Sequence, residues 1–182
     1  MSYKNISDFN GIELLEKNIF FSDLGSFSTL FESRDLEISF VQDSISKSLQ
    51  TGTIRGMHFQ KGQDAQAKLI NVLQGAIVDF FVDLRKSSPT FLCHGCVELN
   101  EDSLLSLFIP KGFAHGFITT KPETIISYKL DNFYNPDSEE TLLWNDPDIG
   151  IAWPHSKNYF LSSKDKAGLS LEEVIKEQKY YL

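Results

Sequence analysis

The feature that most constrains this chain is a series of eight short β-type runs between residues 36 and 130. Val, Ile, Phe and Tyr are frequent in these runs, and Gly, Pro, Asp, Asn or Ser separates each run from the next. The runs are LEISFVQ, TIRGMHF, KLINVLQ, AIVDFFVDL, FLCHGCVEL, LLSLFIP, GFITT and TIISYKL. Strands at this spacing predict an all-β fold, either an antiparallel sandwich or a barrel.

The run AIVDFFVDL alternates clearly enough to assign its two faces. Its even-numbered residues, from Ala76 to Leu84, are apolar and predict a side that faces the core. The odd-numbered residues include Asp79 and Asp83, so we expect the other side to be mixed.

The last part of the chain changes from strand to helix periodicity. Ser170 followed by Glu173 is a capping-box pattern, and Leu171, Val174 and Ile175 fall on one face of a helix. The sequence therefore predicts a short helix near the C-terminus. Because no repeat or low-complexity linker interrupts the chain, we expect one domain over residues 1–182.

Charge and composition narrow the classes of partner. The 182 residues include 25 acidic and 17 basic ones, which give a net charge of −8, so a nucleic-acid-binding surface is not expected. The arginines are Arg34, Arg55 and Arg85, so an anionic ligand would be bound by a few placed cations. We expect no membrane span, because no uncharged apolar run approaches about 20 residues. The N-terminal stretch lacks a signal-peptide layout, so we expect a cytoplasmic protein.

Two histidines raise the question of a metal site. The string PKGFAH, which ends at His115, has the spacing of the second half of a cupin metal site. In the first half, however, His58 is followed two residues later by Gln60, where such a site needs a second His. Two His without a third strong ligand bind zinc or iron poorly, so we predict no metal and no other cofactor, with a metal-dependent cupin dioxygenase or isomerase as the alternative.

The segment CHGC, from Cys93 to Cys96, fits the C-x-x-C spacing of redox and zinc motifs. It lies within a strand-like run and the chain has no second pair of cysteines, so two half-buried strand thiols are the simpler interpretation.

Polar groups on apolar strand faces are the strongest candidates for chemistry. Lys68 shares its face with Ile70, and Tyr128 shares its face with Ile126, positions at which an unpaired polar group is costly. Taken singly, Lys68 could mark a strand edge and Tyr128 could bond a backbone carbonyl.

Arg55 and His58 pose a separate problem of geometry. They are three residues apart, which places them on opposite faces of a regular strand. If both serve one site, Gly56 allows a bulge between them.

Five strings of this sequence closely resemble the dTDP-4-dehydrorhamnose 3,5-epimerase family, in the family's order and spacing. They are RGMHFQ (55–60), AQAKLINVLQGAIVDFFVDLRKSSPTF (65–91), IPKGFAHGF (109–117), YKLDNFYNPDSEETLLWNDPDIGIAWP (128–154) and SSKD (162–165). The resemblance implies a cupin or jelly-roll antiparallel β-barrel with short peripheral helices. It also implies a homodimer that uses no metal and epimerises a nucleotide-linked 4-keto-6-deoxy sugar.

The resemblance also implies a catalytic set. The family's proton-abstracting His falls on His58, and the Asp that orients it falls on Asp165. The Lys near the keto oxygen falls on Lys68, and the Tyr that returns a proton from the other face falls on Tyr128.

The substrate-binding residues are carried over in the same way. Arg55 matches the Arg that contacts the diphosphate, Gln42 matches a Gln that lines the cleft, and His115 is a pocket residue. Ser44 stands where the family has Asn, and Phe27 belongs to an N-terminal segment associated with the nucleotide. We expect both to bind the substrate.

Departures from the family pattern affect the expected substrate. In FSDLGSFST, Leu24 replaces an expected Arg and Thr29 replaces an expected Glu. We therefore expect a GDP-linked 4-keto sugar, such as a deoxyheptose for bacterial surface polysaccharide or capsule, ahead of the dTDP-linked hexose. The open alternatives are the dTDP sugar, epimerisation at C3 alone, and a non-catalytic cupin that binds a sugar nucleotide.

Overall fold

The computed structural model of the protein describes residues 6–34, 36–103 and 105–176, and short antiparallel strands dominate these ranges. The strands are β1 (Glu13–Glu16), β2 (Ile19–Ser22), β3 (Gly25–Ser28), β4 (Gln42–Ser48), β5 (Ile54–Gln60), β6 (Lys68–Gln74), β7 (Ala76–Asp83), β8 (His94–Asn100), β9 (Leu105–Ile109), β10 (Phe113–Thr119), β11 (Thr124–Leu130) and β12 (Glu139–Thr141). The α-helices are α1 (Ser163–Lys166) and α2 (Leu171–Lys176), and 3-10 turns lie at Ile6–Asp8 and Gly62–Asp64.

Ten of the strands form two five-stranded sheets. The first sheet has the order β1-β9-β6-β11-β4, and the second has the order β12-β5-β10-β7-β8. Neighbouring strands within each sheet are antiparallel. Strands β2 and β3 pair with each other as a separate hairpin. The all-β antiparallel fold with a short C-terminal helix is therefore confirmed. In the described ranges, no helix has the length and apolar character needed to cross a membrane.

The main core lies between the two sheets. Ile70 and Ile126 of the first sheet pack in one cluster with Ile77, Phe81 and other residues of the second. Every residue of β7 is buried. The expectation of a mixed second face on this strand was therefore only half right, because Asp79 and Asp83 are themselves buried and hydrogen-bonded.

The outer face of the second sheet is covered by the C-terminal part of the chain. Phe80 and Val82 pack there in one cluster with Leu171 and Val174 of α2. The predicted capping box is present, because the Ser170 backbone N–H donates to Glu173 Oε2 at 2.8 Å and the Glu173 backbone N–H donates to Ser170 Oγ at 3.3 Å. Helix α2 thus closes one face of the barrel.

Seven of the eight predicted runs overlap strands over several residues. The run LEISFVQ was wrong, because β4 begins only at its last residue, Gln42. Leu36, Ile38 and Phe40 do pack together, in a cluster on Leu69 of the first sheet. Their alternation therefore reports burial of an irregular segment, which periodicity alone cannot distinguish from a strand. Leu104, the first residue of LLSLFIP, lies outside the described ranges.

Candidate active site

A cavity of about 370 Å³ lies between the two sheets and carries most of the residues predicted for the site. The first sheet contributes residues of β4, β6 and β11, and the second contributes residues of β5, β10 and β12. The lining residues are Gln42, Ser46, Arg55, His58, Gln66, Lys68, His115, Phe117, Ile126, Tyr128, Leu130, Tyr134, Glu139 and Lys164.

His58 is held by a buried carboxylate from the far end of the chain. Its Nε2 lies 2.6 Å from Oδ1 of Asp165, whose residue is 3% exposed. Asp165 is fixed in turn by Ser162, the N-cap of α1, whose Oγ donates to Asp165 Oδ2 at 2.7 Å. Burial opposes ionisation of Asp165, but the hydrogen bonds from His58, Ser162 and the Gly56 N–H outweigh it and lower the pKa of this carboxyl. The arrangement leaves His58 oriented and its other ring nitrogen available.

Gly56 explains how Arg55 and His58 reach the same cavity. Between these two residues β5 has one residue more than its partner β10, where His115 pairs with His58 and Phe117 with Arg55. Gly56 has a φ of +119°, and a Cβ atom there would lie 2.6 Å from backbone atoms of β10. The predicted bulge at Gly56 is therefore present, and a side chain cannot be accommodated at it.

Lys68 lies beside the His58 backbone and two carboxylates. Its Nζ donates to the His58 carbonyl oxygen at 3.3 Å. Burial lowers the pKa of Lys68 to about 8, although the charges of Asp79 and Glu139 act in the opposite direction. The alternative that Lys68 marks a strand edge does not hold, because β6 lies between β9 and β11.

His115 forms a second pair of histidine and carboxylate in the same cavity. Its Nε2 lies 2.8 Å from Oδ2 of Asp79, which is fully buried. Burial lowers the pKa of His115, although Asp79 opposes that shift, so the neutral ring is favoured.

Tyr128 faces this group from the opposite sheet. It lies on β11, whereas His58 lies on β5, and both side chains line the cavity. Burial is the main cause that raises the pKa of Tyr128, so its hydroxyl stays protonated near neutral pH. Among the residues described here, none forms a hydrogen bond with that hydroxyl, so bonding to a backbone carbonyl does not explain Tyr128.

The predicted substrate-binding residues divide into three groups. Arg55, Gln42 and His115 line the cavity, as expected. Ser44 is not part of the lining, and its Oγ instead accepts a hydrogen bond from Gln42 Nε2 at 3.1 Å. Phe27 lies on the β2–β3 hairpin, away from the cavity, with 66% of its surface exposed.

Five polar residues of the lining were not identified from the sequence: Ser46, Gln66, and a group of three that consists of Tyr134, Glu139 and Lys164. Glu139 Oε2 accepts a hydrogen bond from the Tyr134 hydroxyl at 2.6 Å and forms an ion pair with Lys164. Burial opposes ionisation of Glu139, but these contacts outweigh it and lower the pKa of the carboxyl. The sequence motifs around Tyr128 and Asp165 contain all three residues of that group, so these motifs could have identified them.

The donor set does not suit a metal ion. His58 and His115 are each bonded to their own carboxylate, and the Gln60 amide donates to two backbone carbonyls. Within residues 6–34, 36–103 and 105–176, no three His, Cys, Asp or Glu side chains converge as metal ligands.

The sequence is similar to one enzyme family along most of its length. A family model described as dTDP-4-dehydrorhamnose 3,5-epimerase matches residues 7–173. The chain is 40% identical over 168 residues to the dTDP-4-dehydrorhamnose 3,5-epimerase of Salmonella typhimurium strain LT2, covering 89% of this chain and 91% of that protein. It is 38% identical over 176 residues to the enzyme of the same name from Escherichia coli strain K12, covering 93% and 95%.

Solved structures of proteins with related sequences also resemble this fold. A crystal structure of dTDP-4-dehydrorhamnose 3,5-epimerase from Bacillus anthracis strain Ames, with TDP and PPi bound, is 46% identical, with a TM-score of 0.85 over 88% of this chain and 94% of that one. The dTDP-6-deoxy-D-glucose-3,5-epimerase of Legionella pneumophila, in complex with dTDP-4-keto-L-rhamnose, is 34% identical, with a TM-score of 0.88 over 96% and 95%. The prediction of a cupin-type fold is confirmed.

Proposed function

Since the chain belongs to the dTDP-4-dehydrorhamnose 3,5-epimerase family and is a sugar-nucleotide epimerase, we propose that it inverts C3 and C5 of a dTDP-linked 4-keto-6-deoxyglucose. The observation that carries this proposal is the placement of His58 and Tyr128 on opposite walls of one cavity. Inversion at a carbon requires that a proton leaves from one face and another returns to the opposite face.

His58 is the base in this proposal. Protons on C3 and C5 flank the C4 carbonyl, so removal of either gives an enolate. A His oriented by a carboxylate is a suitable base near neutral pH. Asp165 supplies that orientation, and Tyr128 donates the returning proton from the other sheet. His58 then releases its proton to solvent, and the Tyr128 phenolate takes one up from solvent, so both residues return to their starting state.

Lys68 stabilises the charge that develops on the C4 oxygen. Its ammonium lies next to the His58 backbone, and charge on the oxygen grows only as the proton leaves. An interaction that strengthens in the transition state accelerates the reaction. Arg55 binds the diphosphate, for which a guanidinium fork is well shaped.

The nucleotide is the point at which the sequence-based expectation changes. Nothing in the comparisons supports a GDP-linked heptose, and the relatives described above are named for dTDP sugars. The argument for GDP depended on Leu24 and Thr29, but these two residues only remove an Arg and a Glu and add no side chain that would favour guanine over thymine. The dTDP-linked substrate, the earlier alternative, is therefore our proposal.

The exposed hairpin fits the homodimer that the resemblance implies. Phe20, Phe21, Leu24 and Phe27 each expose more than 60% of their surface, which is costly for a monomer in water. We place Phe27 at the cavity of the partner subunit. In that position Phe27 would contact the ligand, as expected, although it does not line the cavity of its own chain.

The proposal is tested with dTDP- and GDP-linked 4-keto-6-deoxyglucose in deuterium oxide, with chelator present. We expect solvent deuterium at both C3 and C5 of the dTDP sugar, and slow exchange in the GDP sugar. His58→Asn is the control for the base and should abolish exchange at both carbons. Exchange at C3 alone would establish a single epimerisation, and faster exchange in the GDP sugar would overturn the proposed nucleotide.

A further inference from the structure

The loop of residues 131–138, which we call the Tyr134 loop, joins β11 to β12 and carries Tyr134 to the cavity wall. Burial of its two aromatic side chains does not hold it in place, because Phe133 is 66% and Tyr134 is 52% exposed. Hydrogen bonds from elsewhere in the chain must therefore determine where this loop lies.

Gln60 supplies two of those hydrogen bonds, and a third bond, to Asp64, fixes its own amide. Its Nε2 donates to the Phe133 carbonyl at 3.1 Å and to the Asp64 carbonyl at 2.7 Å, and its Oε1 accepts from the Asn135 N–H at 2.6 Å. Gln60 is 7% exposed, so these bonds form with little competition from water. One buried amide thus bonds the backbone on both sides of Tyr134.

Asp64 holds the second half of the loop. Its Oδ2 accepts hydrogen bonds from Asn135 Nδ2 at 2.8 Å and from the Ser138 hydroxyl. These bonds fix the loop up to Ser138, the residue before Glu139. The Glu139 carboxylate in turn accepts a hydrogen bond from the Tyr134 hydroxyl. On the other side, the Tyr134 N–H donates to Gln42 Oε1 at 3.1 Å, so the position of the loop also determines how Gln42 is presented.

We propose that Gln60 and Asp64 are positioning residues that hold the Tyr134 loop against the cavity and so determine the affinity for the nucleotide sugar. Gln60 stands at the position where a metal-binding cupin would carry its second His, and here that position serves the loop instead. This inference rests on the proposed function of the cavity. The bonds that orient His58 come from Asp165 and do not involve the Gln60 side chain, so proton transfer should be affected less than binding.

The test is a double-mutant cycle with Gln60→Leu and Tyr134→Ala, read by calorimetric titration with dTDP and by steady-state kinetics. Leu is close to Gln in size but makes none of its hydrogen bonds. We expect Gln60→Leu to weaken dTDP binding and raise KM about tenfold, with kcat reduced less than about threefold. The double variant should bind dTDP no more than about twofold more weakly than Tyr134→Ala alone, because Gln60 acts through the loop.

Gln74→Leu is the matched control. Gln74 Nε2 also donates to a loop carbonyl, that of Glu123 at 3.0 Å, but Gln74 is exposed and does not line the cavity. Its replacement should leave dTDP binding unchanged. If Gln60→Leu does not fold, as judged by circular dichroism, Asp64→Ala takes its place in the same cycle.

Two results would count against the proposal, and they differ from a failure of the proposed function. Effects of Gln60→Leu and Tyr134→Ala that simply add, or a loss confined to kcat, would show that Gln60 does not act through the loop. A wild-type protein that fails to bind dTDP would instead overturn the nucleotide assignment.

Discussion

The Lys68 ammonium has a pKa of about 8, because burial favours the neutral amine. The group is therefore charged below about pH 8 and loses its charge as the pH rises through that value. Tyr128 does not interfere in this range, because its pKa is raised above the ordinary value of 10.0. The charge that we propose to stabilise the C4 oxygen is thus lost at a pH that is easily reached.

We predict that kcat/KM falls above about pH 8 and that Lys68→Arg, although slower overall, no longer shows this alkaline decrease. A guanidinium keeps its charge throughout the measurable range, and kcat/KM reports groups of the free enzyme. The measurement is a profile from pH 6 to pH 10. Lys47→Arg, on an exposed lysine paired with Glu123, should leave the profile unchanged. An unaltered alkaline decrease in Lys68→Arg would remove Lys68 from this role.

In the proposed mechanism, loss of the Tyr128 hydroxyl separates proton removal from inversion. In Tyr128→Phe, His58 still removes a proton and can return one to the same face. We predict that solvent deuterium continues to enter C3 and C5 while net inversion falls roughly 10²- to 10⁴-fold. Tyr159→Phe, whose hydroxyl donates to the Pro154 carbonyl at 3.2 Å outside the cavity, is the control. Equal loss of exchange and inversion would argue against Tyr128 as the donor.

Strand β5 is the element that organises the site. It carries Arg55, His58 and Gln60 within six residues, and the bulge at Gly56 turns the first two toward one cavity. A regular strand would direct Arg55 and His58 to opposite faces.

We predict that Gly56→Ala lowers the free energy of unfolding by about 3 kcal/mol and removes most activity, because the new Cβ would overlap backbone atoms of β10. Gly62→Ala is the matched control, since Gly62 also has a positive φ, of +55°, but has nothing within 4 Å of a Cβ position. It should cost about 1 kcal/mol. Urea unfolding and kinetics of both variants make the comparison, and equal losses in the two would show that the close approach to β10 is not the cause.

The extent to which the site was predictable follows from the kind of element that holds each residue. Lys68 and Tyr128 stand on regular strands, where alternation with Ile70 and Ile126 made them conspicuous. Asp165 lies on a four-residue helix, 107 residues from His58, and no periodicity connects two such positions. Asp165 was identified only through the resemblance to the epimerase family.

Two of the residues that were missed lie on the shortest elements. Glu139 begins a three-residue strand and Lys164 lies on the four-residue helix α1, which are too short to show a period. Ser44 was expected to bind substrate because it stands where the family has Asn, but its side chain bonds Gln42. Phe27 was expected at the cavity, and a single chain does not place it there.

At the scale of the whole molecule, the hairpin predicts that two chains share one site. If Phe27 contacts the ligand of the partner, Phe27→Ala raises KM through the other subunit. A mixed dimer of His58→Asn and Phe27→Ala chains would then combine an intact cavity with an intact hairpin from the other chain. We predict that mixing the two inactive or weakened proteins, after mild dissociation, restores turnover at the wild-type KM. Mixtures that behave as the sum of their parts would place Phe27 outside the site.

The complete burial of β7 has a further consequence for how the molecule opens. Amide protons exchange with solvent most slowly where side chains are covered on both faces and strands are paired on both sides, and β7 lies between β10 and β8 in that state. His115 stands on β10, which pairs with β7, and His58 stands on β5, the next strand beyond β10, so both histidines lie close to the slowest-exchanging strand. The Tyr134 loop is held by a few polar bonds, so its amides should exchange far sooner. We therefore expect the strands that carry the histidines to stay folded while the Tyr134 loop opens and closes many times.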